Sequence, residues 1–309
     1  MIHQHYVFWI FFSVIIFVMF YIDLYATSHR SGKIGIKSSL MWSGIWIASA
    51  LFFNLLILLF LEDGKQKALE FLAGYLIEKS LSVDNLFVFL MIFSVMGVKE
   101  ENQPHVLKWG ILSAIVMRIA FIMVGVALIK YFHPIIYIFG VMLFYASYKM
   151  AFGDDTKIDY ENNAIIKFVS KRFRLLTQYN GHRFFVKEKG KMFLTPLFLT
   201  FLLIESSDLI FAVDSIPAVI AITHDPFIVI TSNIFAILGL RALYFALAGI
   251  IDLFVYLKYG VAVILAYVGI KMIISDYYSI PTLTSLAFIV VCLSVSVIFS
   301  MVYKKKPSA

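Results

Sequence analysis

The chain has 309 residues, of which 61% are hydrophobic and 15% charged, and its formal net charge is +7. A soluble domain carries roughly a quarter charged residues, so the composition excludes a soluble globular protein. The basic residues cluster between apolar runs, which assigns the positive balance to membrane-flanking loops and excludes a nucleic-acid partner.

The pattern predicts an all-α polytopic membrane protein of nine helices, at 6–22, 40–61, 68–96, 105–129, 132–152, 194–222, 226–251, 257–275 and 281–302. Each is long enough to cross roughly 30 Å of hydrocarbon, and 68–96 and 194–222, at roughly 43 Å, are too long for a simple crossing. The first run has no preceding Lys or Arg and ends at Asp23 rather than at a small-residue cleavage site, so it reads as a retained span. One set of loops holds Arg30, Lys33 and Lys37, then Lys99 and Lys108, then nine basic residues from Lys157 to Lys191, then Lys258 and Lys304–Lys306. The opposite set holds little beyond Lys65, Lys67 and Lys130. The positive-inside rule then puts the amino terminus outside and the carboxyl terminus in the cytoplasm. Within the long basic loop, Ile165–Leu176 has the pattern of a short amphipathic surface helix; the loop reads first as a solvated positive-inside segment, and alternatively as a site for anionic lipid or regulation. Cys292 is the single cysteine, expected as a small buried hydrophobe; one thiol excludes an internal dithiol relay.

Two stretches repeat. Glu78 to Asn85 (EKSLSVDN) aligns with Asp208 to Ser215 (DLIFAVDS), placing acids six residues apart in both. Downstream, GILSAIVMR ending at Arg118 resembles NIFAILGLR ending at Arg241, and Tyr145, Lys149 and Met150 match Tyr267, Lys271 and Met272 at identical spacing. Each copy spans three helices, so the second enters the bilayer from the other face, an architecture that places substrate sites at the repeat interface. The expected organisation is two amino-terminal spans (1–67), repeat A (68–152), a cytoplasmic basic loop (153–193), repeat B (194–275), and a final span with a basic tail (276–309).

A carboxylate at the bilayer centre costs a few kcal/mol or more and needs a reason. Glu78, Asp84, Glu205, Asp208 and Asp214 lie on only two helices. In an unbroken helix, residues six apart point about 120° away from each other. Ser80, Ser82 and Asn85 in the first, and Ser206, Ser207, Ser215 and Pro217 in the second, favour a broken turn that would aim the acids and freed carbonyls at one cavity. Glu205 and Asp208, three apart, share a face without any break. Oxygen ligands without His or Cys suit hard divalent cations such as Mn²⁺, Mg²⁺ or Ca²⁺. The alternative, that these acids only neutralise Lys79, Arg118 and Arg241, leaves three bases against five acids. Burying so many charges for stability alone is unfavourable. Asp23 lies at the inner end of the first helix and is a sixth candidate.

The motifs ALEFLAGYLIEKSLSVDNLFVF, TPLFLTFLLIESSDLIFAVDSIPAVIAIT, DPFIVITSNIFAILGLRALYF and YGVAVILAYVGIKM resemble those of the TerC family, and within it the Alx-like branch. The resemblance covers nearly the whole chain. It implies a bacterial inner-membrane protein of the LysE-type transporter superfamily, with manganese export associated with the Alx-like branch. The family acids fall on Asp23, Glu78, Asp84, Glu205, Asp208 and Asp214. The family name refers to tellurite resistance, a phenotype with no counterpart in the chemistry of these residues.

The expected function is therefore export of a divalent cation, foremost Mn²⁺, through intramembrane carboxylates and with possible proton coupling, by a protein that is not an enzyme and holds no permanent cofactor. The competing expectation is a membrane scaffold that assists insertion or metalation of other proteins. Besides the lipid bilayer and the metal ion, the sequence indicates no partner.

Overall fold

A computed structural model describes residues 2–26, 35–132, 134–152, 173–176, 181–188, 191–248, 256–278 and 280–302; of these, the side chains of 2–6, 24–26, 83, 84, 87, 95, 129, 188, 210, 213, 214 and 257 are not described. The described residues form ten α-helices: α1 (Ile2–Ala26), α2 (Ile36–Phe60), α3 (Gly64–Val95), α4 (Gln103–Tyr131), α5 (Ile135–Phe152), α6 (Pro196–Ile220), α7 (Pro226–Ile237), α8 (Leu240–Ala248), α9 (Leu257–Ile273) and α10 (Thr282–Val302). Three short strands, β1 (Arg174–Leu175), β2 (Phe185–Glu188) and β3 (Lys191–Leu194), form a sheet in the order β1-β3-β2. The chain is a polytopic helical membrane protein. Five helical segments are long and apolar enough to cross a membrane (Ile36–Phe60, Gln103–Leu128, Ile135–Phe152, Pro226–Ala248 and Thr282–Val302), and Val7–Asp23 is a shorter apolar helix.

Three expectations need correction. The helix expected over 226–251 is two helices, because α7 stops at Leu238 and Gly239 turns the chain at φ +81°. A β-carbon at Gly239 would lie 2.5 Å from Cδ1 of Trp46, so backbone conformation and packing both require glycine there. Conversely, the helices expected to be broken, α3 and α6, are continuous across the acids. Their serines explain this: Ser80 donates to the Leu76 carbonyl at 2.6 Å, and Ser206 and Ser207 donate to the Leu203 carbonyl at 2.9 Å, so each hydroxyl is satisfied within its own helix. Pro217 falls in the last turn of α6 and does not interrupt it. Finally, the surface helix expected at Ile165–Leu176 lies mostly outside the described residues, and its end is strand β1, paired in parallel with β3. The Lys304–Lys306 tail also lies outside them.

Sequence signals set the starts of α6 and α7. Thr195 accepts from the Phe198 amide and Asp225 from the Phe227 amide, each followed by a proline that needs no hydrogen bond in the first turn. The segment made by α7 and α8 is the centre of the bundle: 94% of its apolar stretch is buried, against 28% for α2, α4, α5 and α10, whose outer faces are left for lipid. Phe227 and Phe235 on α7 pack with Phe12 of α1 and Phe53 of α2, the Phe53 and Phe235 rings 4.7 Å apart.

Two apolar cores result. One gathers the first half of α3 (to Leu81), Ile122 of α4, the end of α6 (from Ala212), most of α7, and parts of α9 and α10. The other gathers the second half of α3 (from Leu86), the start of α4 (to Ile111), the start of α6 (to Ile204) and α8. Thus α3 and the α7–α8 pair run from the first core to the second, while α4 and α6 run the opposite way. Further packing joins α3 to α7, α4 to α6, α3 to α6, and α5 to α9. On the last pair, a β-carbon at Gly140 would meet the Gly269 carbonyl at 3.1 Å, and Ser147 donates to the Ala262 carbonyl at 2.7 Å.

Candidate functional site

The buried charges fall where the two apolar cores meet. Arg118 is 1% exposed, on the stretch of α4 between Ile111 and Ile122. Its guanidinium joins α3 to α6: Nη1 donates to Glu78 Oε1, and Nη2 donates to Asp208 Oδ1 at 3.3 Å. Nη1 also lies 3.3 Å from Ser215 Oγ on α6 and from Asn233 Oδ1 on α7. The Asn233 amide nitrogen donates to the Val229 carbonyl at 3.0 Å, which turns its oxygen toward Arg118. Four helices therefore converge on one side chain.

The pairing leaves oxygen atoms over. Glu78 Oε2, Asp208 Oδ2 and Glu205 Oε1 are buried and accept no hydrogen bond from the described residues, nor does Arg118 Nε donate one. Glu205 faces α4 at Gly110, where an added β-carbon would sit 3.4 Å from Oε1. Glycine thus opens the space for this carboxylate. The Ser113 hydroxyl one turn further on lies 2.8 Å from the Trp109 carbonyl and 3.0 Å from the Gly110 carbonyl. Glu78 and Asp208 thus flank one guanidinium, an excess of one negative charge if both are ionised, with Glu205 about one turn before Asp208 on α6. Unpaired carboxylate oxygen of this kind inside a bundle is costly unless a proton or a cation visits it.

The other predicted residues divide into those brought to this cluster and those that are not. Ser215 is brought in through Arg118. Ser80, Ser206 and Ser207 bond within their own helices, while Ser82 and Asn85 are buried on α3 between the two cores. Asp84 and Asp214 occupy their positions on α3 and α6, six residues beyond Glu78 and Asp208, and their side chains lie outside the described ones. Arg241, which holds the place of Arg118 in the second repeat, instead pairs with Asp23 of α1 through Nη2 and Oδ2 at 3.2 Å, both side chains buried. The break at Gly239 redirects it, since Arg241 begins a new helix. Asn233 was missed from sequence; its signal was a polar residue in an apolar helix, aligned with Gly110 of the other repeat. Among the described residues, no three of His, Cys, Asp and Glu converge as a ready metal-ligand group.

An ion-pair cluster sealed between two apolar cores defines a class: helical membrane proteins with buried charge at mid-bundle. The family profile described as "Integral membrane protein TerC family" matches residues 63–308, and the chain belongs to that family. A relative from Photorhabdus laumondii is 42% identical over 300 residues, covering 95% of this chain and 94% of its own, and is named "Putative membrane-bound redox modulator Alx". One of the same name from Escherichia coli strain K12 is 44% identical over 285 residues, covering 90% and 89%. A Rickettsia bellii relative, 38% identical over 296 residues and covering 96% and 97%, is named only as an uncharacterized membrane protein. No solved structure matches the chain.

Proposed function

We propose that the chain transports a divalent metal cation, Mn²⁺ foremost, out of the cytoplasm across the bacterial inner membrane. Glu78, Glu205, Asp208, Asp84 and Asp214 form its intramembrane path. The observation that carries this reading is the Arg118 guanidinium held between Glu78 and Asp208 with carboxylate oxygen to spare. In this state the arginine serves as a built-in cation. A hard divalent ion can compete for the same oxygens, and carboxylates that exchange Arg118, a metal ion and protons can couple metal movement to a proton gradient.

An inverted repeat of α3–α5 and α6–α9 supports alternating access around that point. The first helices of the two units, α3 and α6, run in opposite directions between the cores, as do their second members, α4 and α7–α8. Packing is reciprocal, with α3 on α7 and α4 on α6. The sequence alignment equates Gly140 with Ala262 and Ser147 with Gly269. A two-fold relation then turns the Gly140–Gly269 contact into one between Ser147 and Ala262, and both contacts are present.

The redox role in the relatives' name has only Cys292 to draw on for thiol chemistry in this chain, and a single thiol forms no internal disulfide. The test is flux. Purified protein in sealed liposomes should move Mn²⁺ down an imposed gradient, with Mg²⁺, Ca²⁺ and Zn²⁺ compared in parallel. Liposomes no more permeable to any of these ions than protein-free ones would refute transport.

A further inference from the structure

A further cation inside the bundle, Lys79, is used by nothing above. It follows Glu78 on α3, and consecutive helical residues point about 100° apart. Glu78 turns to Arg118, whereas Lys79 turns to the break between α7 and α8. There its ammonium donates to the Ala236 carbonyl at 3.1 Å and lies 3.5 Å from the Leu238 carbonyl. Among the described residues, no carboxylate stands within ion-pair distance of it. Ala236 and Leu238 are almost wholly buried, and the chain is held open there by Gly239 wedged on Trp46.

A helix that stops inside a membrane exposes carbonyls and the negative end of its dipole. Such ends coordinate ions where the broken backbone is enclosed by protein. An ammonium has three donors and no fixed direction, so it sits at such an end much as a small ion would. The oxygens here belong to neutral carbonyls, unlike those around Arg118. A divalent ion would need formal charge to offset its lost hydration; a monovalent ion needs less.

We propose that the α7–α8 break is a monovalent-cation site, filled in this state by the Lys79 ammonium as a tethered ion, and that Na⁺ or K⁺ takes its place when Lys79 withdraws. The site is separate from the carboxylates and does not depend on divalent transport.

Removing the tether exposes the site to measurement. Full-length protein in detergent would be melted in NaCl, KCl or choline chloride at one ionic strength, as wild type, Lys79→Met and Lys79→Arg. Wild type and Lys79→Arg, with the seat filled, should melt alike in all three salts. Lys79→Met should melt several degrees lower in choline and recover in Na⁺ or K⁺. A Lys79→Met protein indifferent to the cation overturns the proposal. So does equal sensitivity in Lys79→Arg, which would mark a general salt effect. Should Lys79→Met fail to accumulate, Lys79→Ala, which also leaves the carbonyls without a donor, should show the same recovery; indifference there also overturns the proposal.

Discussion

Arg118→Gln removes the one positive charge shared by Glu78 and Asp208 while keeping much of the side chain's length. In the wild type that guanidinium is 1% exposed and touches polar atoms of α3, α6 and α7. Removing one partner of a buried pair leaves an uncompensated charge and costs about 3–5 kcal/mol. At roughly 2–4 °C per kcal/mol for a chain of a few hundred residues, melting should fall by about 6–20 °C. If the acids are a cation site, a divalent ion should restore part of that loss, because it now meets no competitor. At about 100 times its Kd a ligand specific for the folded state contributes about 2.7 kcal/mol. The assay is thermal unfolding in detergent with and without Mn²⁺, run beside wild type and Arg118→Gln/Glu78→Gln. The double variant should lose less stability than the sum of its single changes, by about 0.5–3 kcal/mol. An Arg118→Gln protein as stable as wild type, or one that gains no more from Mn²⁺ than wild type does, would refute the reasoning.

The remaining expectations concern the frame around that cluster. Gly239→Ala places a β-carbon 2.5 Å from Trp46 at φ +81°; a left-handed strain of about 1–3 kcal/mol plus the clash should show as lower membrane abundance and a lower melting temperature. Asp23→Asn and Arg241→Gln should each destabilise by breaking a buried pair, and the double variant should melt above the sum of the single losses; strict additivity would mean the two residues do not interact. Reporter fusions should place the amino terminus outside and the segment beyond residue 302 in the cytoplasm, and an external carboxyl-terminal reporter would overturn the charge-based orientation.

Most of the helical frame was legible because hydropathy and loop charge carry it directly, and the acids were legible because a carboxylate in an apolar run is conspicuous. What sequence left open was pairing. Arg118 and Arg241 occupy matching places in the repeat, yet one reaches Glu78 and Asp208 and the other reaches Asp23. A local pattern does not show that α1 delivers an acid to the start of α8. The position of the break was misjudged for a related reason. Serines read as helix breakers in α3 and α6 bond back to their own carbonyls, so they leave the helix intact. Gly239, inside a run that reads as continuously helical, is the residue that stops one. Its signal was a lone glycine, whose consequence depends on Trp46 packing against it from α2.

The central claim is that the intramembrane acids carry a metal ion, and Asp84 and Asp214, the matching acids of the two repeats, test it most directly. Asp84→Asn and Asp214→Asn keep shape while deleting charge, and a neutral amide is cheaper to bury than a carboxylate, so membrane abundance should hold or rise. Mn²⁺ export should nevertheless collapse, since the ion loses a charged oxygen ligand. Abundance and intracellular manganese measured in the same cells therefore decide the matter. The account predicts abundant variants in cells that accumulate manganese, and variants exporting at the wild-type rate per molecule would contradict it.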